Sequence, residues 1–294
     1  MTADPTMLLD DSHASQWGAS RADVGAAAAA APTRPSRGRG RAILLAWALP
    51  LTALAGAEMA GRLGWVAANL LPMPSDVVQA LFDLGGPTLA GHVAASTARV
   101  AAGYALGASL GVAVGSLVGL SATARSLLDP SFQALRAIPS LAWVPLLLLW
   151  LGIGEAPKLA MIAIGAFFPV YMGVVAGIRG VDRKLVEVAR LMRLESFALV
   201  RRVLLPAALP SVMTGLRNGL SLAWMFMVAG ELIAASSGLG TLLTDGRETS
   251  RADLVLAAIV LLAVLGKLSD TAMARLERRL LRWRDTVDTP ADAP

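Results

Sequence analysis

The sequence predicts an all-α integral membrane protein with about six transmembrane helices, and three observations carry that prediction. Of its 294 residues, 55% are hydrophobic, and the mean hydropathy is +0.61, too apolar for an ordinary soluble domain. The apolar residues fall into runs of about 20, the length at which a helix crosses the hydrocarbon core. The Arg and Lys residues gather in alternate connections and in the tails, as the positive-inside rule expects of a multi-pass chain.

Residues 1–41 are polar, Ala-rich and Pro-containing, and read as a disordered cytoplasmic tail that buries no core. The apolar run Ala42 to Ala60 reads as a first span. Arg37, Arg39 and Arg41 hold its start inside, and Pro50 kinks it. Together with an outer interfacial helix over Asp76 to Leu84 it forms a segment 42–91. A transmembrane domain is then expected over 92–280, with a cytoplasmic tail over 281–294. The second span, about Val93 to Leu120, carries glycine at every fourth position: Gly103, Gly107, Gly111, Gly115 and Gly119. One face of that helix is nearly bare of side chains, so a neighbouring helix can approach closely in lipid.

Ser126 to Leu151 contains Pro130, Arg136, Pro139 and Pro145 and reads as a broken helix. Such helices occur at membrane depth only where they face protein or a water-filled passage. A fourth span follows from about Pro157 to Ile178, a fifth from Ser211 to Ile233, and a sixth from Leu254 to Ala274. Between the last two, Ala234 to Asp253 reads as a Ser- and Gly-rich outer connection. Six spans put both termini in the cytoplasm. Arg62, Lys158, Arg247 and Arg251 are then the few basic residues outside.

The stretch from Val181 to Pro210 is the one long polar segment between two strongly apolar ones. It carries Arg183, Lys184, Arg190, Arg193, Arg201 and Arg202 interleaved with apolar residues at helical spacing. It reads as one or two short amphipathic helices on the cytoplasmic side, and a basic, semi-apolar helix pair there suits docking into a cytoplasmic protein. Its register resembles the EAA loop of bacterial ABC importer permeases, through Glu187, Ala189, Val203, Leu205 and Pro206. Val188 replaces the usual second Ala, and Arg193 the usual turn-making Gly. A non-Gly residue in a left-handed turn costs on the order of 1 kcal/mol. Pro206 is expected to stop the second helix before the next span.

The resemblance extends over about residues 70–285, through RAIPSLAWVPLLLLWLGIGEAPK, GIRGVDRKLVEVAR and LGKLSDTAMARLERRLLRW. It is to the nitrate, sulfonate and taurine branch of that family, and within it most to aliphatic-sulfonate permeases. It implies the type I importer permease fold in the bacterial inner membrane, and a passage built from two copies of the chain. It implies a cytoplasmic ABC ATPase held by loop 181–210 and an extracytoplasmic substrate-binding protein. The implied cargo is an aliphatic sulfonate, or else taurine, nitrate or another small nitrogen or sulfur compound. Glu187, Val188, Ala189, Arg193, Val203, Leu205 and Pro206 would couple the chain to the ATPase.

Four charges within spans are weighed as functional candidates because each costs a few kcal/mol in lipid. Arg99 and Glu231 fall near the outer surface, either as an ion pair closing the outer mouth or, the simpler reading preferred here, as two independent snorkelling residues. Arg217 either snorkels or lines the inner vestibule, and Arg136 lies at the inner interface.

Other chemistries are excluded by composition. The chain has no G-x-x-x-x-G-K-[ST] stretch: its Gly266-Lys267 is followed by Leu268, so ATP is not bound by a P-loop here. An ion-gradient carrier remains the alternative transporter, although Glu231 is the only convincing intramembrane carboxylate. There are no cysteines, and His13 and His92 read as isolated surface or interfacial residues, so no metal or other cofactor is expected. A net charge of +5 is explained by topology rather than by nucleic acid. A membrane enzyme would need a cluster of His, Cys or paired carboxylates that the sequence lacks.

Overall fold

The computed structural model describes residues 38–67 and 70–283. Most of the tail 1–41, with His13, and the chain end from Arg284 onward lie outside them. The chain divides into two units, 1–56 and 57–294, and the helical bundle lies wholly within the second.

Thirteen stretches of helix or helical turn follow one another among the described residues. The first is α1 (Gly38–Arg62), which carries the apolar run 42–60. After it come α2 (Pro74–Asp83), α3 (Gly86–Leu120) and α4 (Ala122–Ala137). A 3₁₀ turn (Ser140–Trp143) leads into α5 (Val144–Leu151) and α6 (Glu155–Arg179). Then come α7 (Arg183–Leu191), α8 (Ser196–Leu199), a π turn (Val200–Leu204) and α9 (Leu205–Ala234). The chain closes with α10 (Leu239–Glu248) and α11 (Ala252–Leu280).

Among the described residues four helices are long and apolar enough to cross a membrane: α3, α6, the continuous stretch Ser196–Ile233, and α11. The pair formed by α4 and Ser140–Leu151 passes the same test but is bent by 91°. The bend falls where the sequence expects it. Pro139 removes a backbone donor and pushes Ile138 into extended backbone, so a helix cannot run through.

Helix α6 is the centre of the bundle, packed between α3 on one side and α9 on the other. Its Ile162, Ala166, Val170 and Val174 are buried, and so are Val100 of α3 and Ala223 and Met227 of α9. The five glycines of α3 all lie against α6. A Cβ built on Gly107 would strike the carbonyl of Ala163, and one on Gly111 would lie 2.9 Å from that of Phe167. The glycine face therefore brings two backbones together, replacing side-chain interdigitation with backbone contact. Leu106, Leu110 and Leu117 of α3, and Val260, Val264 and Leu268 of α11, remain exposed, as a lipid-facing surface requires.

Three expectations are corrected. The second span begins at Gly86, not near Val93, so α3 is 35 residues long and exceeds the hydrocarbon thickness. The connection after the fifth span contains α10, whose Leu239 and Leu242 are buried against Leu254 and Ala258 of α11. Pro206 does not stop a helix, because α8, the π turn and α9 form one continuous helix of 38 residues from Ser196 to Ile233. The N–H of Leu205 donates to the carbonyl of Val200, five residues back. The widened turn just ahead of Pro206 accommodates the ring and its missing donor.

Candidate functional site

Three places concentrate polar groups: the end of the bundle where α6 starts, a cavity at the middle of α6, and the α7 to α8 segment where α6 ends.

At the first, Arg99 of α3 joins four segments. Its Nε lies 2.6 Å from Glu155 Oε2 and its Nη2 2.9 Å from Glu155 Oε1, a two-toothed contact with the first residue of α6. Its Nη1 lies 2.6 Å from Glu231 Oε1 on α9 and also donates to the carbonyl of Ser237. Lys158 Nζ completes the group, 2.9 Å from Glu155 Oε1. Two cations thus face two anions, and Arg99, Lys158 and Glu231 are all buried. Ser96 Oγ lies 2.8 and 2.9 Å from the two oxygens of Glu231 and accepts from the N–H of Leu239. The Gly240 N–H donates to Glu231 at 2.8 Å, so the first turn of α10 points its free amides at a carboxylate. A Cβ at Gly240 would lie 2.5 Å from that of Glu231, so this approach needs glycine.

The snorkelling reading of Arg99 and Glu231 is therefore overturned: the two are an ion pair. Lys158, expected among the few basic residues outside, and His92, expected to be isolated, both belong to this end. His92 Nδ1 lies 3.0 Å from the Gly238 N–H that donates to it. Sequence reasoning missed Ser96, Glu155 and Ser237. The Glu155 to Lys158 spacing of three, opening a helix after Gly152 and Gly154, was the available signal.

At the middle of α6 a cavity of about 590 Å³ opens between the α4 bend, α6 and α9. Its polar lining is Arg136, Ser140, Ser211, Thr214 and Asn218, and its apolar lining includes Ile164, Phe168, Met172 and Leu222. Arg217, one residue from Asn218, is turned away to α11. It pairs with Asp270 through Nε at 2.7 Å and Nη2 at 3.1 Å, and with Glu277 at 3.5 Å. It does not line this cavity. Arg136 lies in the cavity wall.

At the third place α7 opens on Asp182, whose carboxylate accepts from the Lys184 N–H, and Arg183 pairs with Glu187 at 2.9 Å. Val188 is 54% exposed while Ala189 is buried. Leu185, Leu191, Met192 and Phe197 are also exposed, an apolar surface on a charged hook. Arg193 has φ 55°, in the left-handed region. Its N–H donates to Arg190 O and that of Leu194 to Ala189 O, the two bonds of a Schellman cap. Val203 lies in the π turn, and Leu205 and Pro206 open α9.

Replacing Arg193 with glycine relieves a left-handed Cβ worth about 1–2 kcal/mol, offset by roughly 0.4–1 kcal/mol of extra freedom in the unfolded chain. Arg193→Gly is therefore expected to raise the thermal unfolding midpoint of the purified protein slightly. A lowered midpoint would mean that the arginine side chain stabilises the turn.

Residues 105–282 match the family described as binding-protein-dependent transport system inner membrane component. The chain is 42% identical over 241 residues to a protein of Bacillus subtilis (strain 168) named as an aliphatic sulfonates transport permease, covering 82% of this chain and 87% of that one. It is 36% identical to the taurine transport system permease protein of Escherichia coli (strain K12), over 76% of this chain and 86% of that one. It is 34% identical to the nitrate import permease of Synechocystis sp., over 68% and 74%. Among solved structures, the inward-facing MetNI methionine ABC transporter contains a chain that superposes with a TM-score of 0.56 at 22% identity. That match covers 63% of this chain and 92% of the other, and is a likeness of fold.

Proposed function

The chain belongs to the family of binding-protein-dependent transport system inner membrane components, and on that premise we propose that two copies of it form the passage of an ATP-driven importer for aliphatic sulfonates. It is a multi-pass permease of the inner membrane and a transport subunit rather than the ATP-hydrolysing one. A cytoplasmic ABC ATPase grips the segment 181–210, and an extracytoplasmic binding protein delivers the cargo to the opposite face. Both termini are then cytoplasmic, and the end of the bundle holding Arg99 and Glu231 faces outward as a closed mouth. The B. subtilis relative supports sulfonates as cargo ahead of the taurine and nitrate named for the more distant ones.

The observation that carries the docking reading is the surface of α7. A helix of nine residues leaves Leu185, Val188 and Leu191 at least half exposed beside Arg183 and Arg190. Short exposed amphipathic helices of this kind are laid into grooves on a partner. Glu187, Val188 and Ala189 would line that contact, Arg193 would meet an acidic group of the ATPase, and Val203, Leu205 and Pro206 would pass the motion into α9.

Glu187→Lys replaces the Arg183 pair with like charges and reverses the field of the docking face. In the complex with its ATPase and binding protein, reconstituted in proteoliposomes, sulfonate-stimulated ATP turnover is expected to fall by about tenfold or more, with the spans still inserted. Unchanged coupling would overturn the docking assignment. The Arg193→Gly protein is expected to assemble less tightly with the ATPase despite its more stable fold. Equal assembly would mean that the arginine is only tolerated there.

A further inference from the structure

We infer that Arg136 is the anion-recognition group of the passage, and that its cavity favours a singly charged alkanesulfonate over a zwitterionic aminoalkanesulfonate; this rests on the importer reading above. Of the three span arginines, Arg99 and Arg217 are each held by two carboxylates. Arg136 is exposed and makes no ion pair among the described residues, so its charge is uncompensated in a cavity that Phe168 and Met172 of α6 also line. An unpaired cation within a span is costly unless it faces water or an anion. It also lies at the end of α4, beside the 91° bend, and interrupted helices at mid-membrane are where transported ions and solutes are held.

The rest of the lining sets the cargo's shape. Ser140, Ser211, Thr214 and Asn218 are neutral hydroxyl and amide groups that can hold further sulfonate oxygens. Ile164, Phe168, Met172 and Leu222 form an apolar wall for an alkyl chain. Among the described residues no carboxylate lines the cavity, so an ammonium group carried in with the sulfonate would be stripped of water without a counter-charge. A volume of about 590 Å³ falls within the range of small-molecule sites.

The test compares uptake of 1-butanesulfonate and of taurine (2-aminoethanesulfonate) by proteoliposomes holding the whole transporter. The same binding protein is supplied to every variant, so delivery cancels from the ratio. Arg136→Gln is expected to lower butanesulfonate uptake by about tenfold, and Arg136→Lys to restore part of it. Asn218→Asp places a carboxylate in the same cavity wall as Arg136 and is expected to shift the taurine to butanesulfonate uptake ratio several-fold toward taurine. A structural role for the site would not produce that shift.

Parental uptake by Arg136→Gln, or an unchanged ratio in Asn218→Asp, would overturn the assignment while the importer reading stood. Failure of the unsubstituted transporter to take up any sulfonate would overturn both. Should Arg136→Gln not assemble, the Asn218→Asp ratio decides alone.

Discussion

Arg99→Ala is expected to destabilise the protein by about 3–5 kcal/mol, because it leaves Glu231 buried without the one cation that pairs with it among the described residues. The side chain of Glu231 has no exposed surface, so water cannot replace the guanidinium. Glu155 suffers less, since Lys158 remains 2.9 Å away and half of its own side chain is exposed. The measurement is the thermal unfolding midpoint in lipid nanodiscs. A parental midpoint would mean that the four charges are not a unit. Adding Glu231→Gln to Arg99→Ala is expected to recover more than half of the loss. A neutral amide can still accept from Ser96 and from the Gly240 N–H without needing a counter-ion. The double-mutant cycle then gives the coupling between the two residues directly.

The second large effect is steric. Gly107→Leu sets a side chain where only the Ala163 backbone carbonyl has room, and neither helix can give way while Gly103 and Gly111 hold the same seam. Overpacking of this kind costs about 1–3 kcal/mol where side chains can shift, and more where the obstacle is backbone. Gly107→Leu is therefore expected to abolish monodisperse protein in size-exclusion chromatography. The control lies in the same helix: nothing stands within 4 Å of a Cβ on Gly91, and Gly91→Leu should elute as the parent does. Equal behaviour of the two variants would show that the seam between α3 and α6 is not close-packed.

That seam is the part of the fold most legible in the sequence, because a strict four-residue glycine repeat has few other uses in a membrane helix. The bend beside Pro139 was equally readable, since proline acts on its neighbours locally. Arg99 and Glu231 were not, being 132 positions apart and brought together only once α10 folds back over them. That helix was itself hidden. Gly238 and Gly240 look like chain breakers, yet Gly238 starts the helix at φ 127° and Gly240 lets its first turn approach Glu231. Pro206 misled for a related reason, because a π turn absorbs a residue that ends an ordinary helix. In the cavity, Arg136 was weighed from its intramembrane charge. Ser140, Ser211, Thr214 and Asn218 carry no such mark and become a group only when α4, α6 and α9 are assembled.

One unbroken rod of 38 residues, about 57 Å at 1.5 Å per residue, begins three residues beyond Arg193 and ends two residues beyond Glu231. A tug on its lower tip arrives at its upper tip as tilt or rotation, since no joint along the way folds to absorb it.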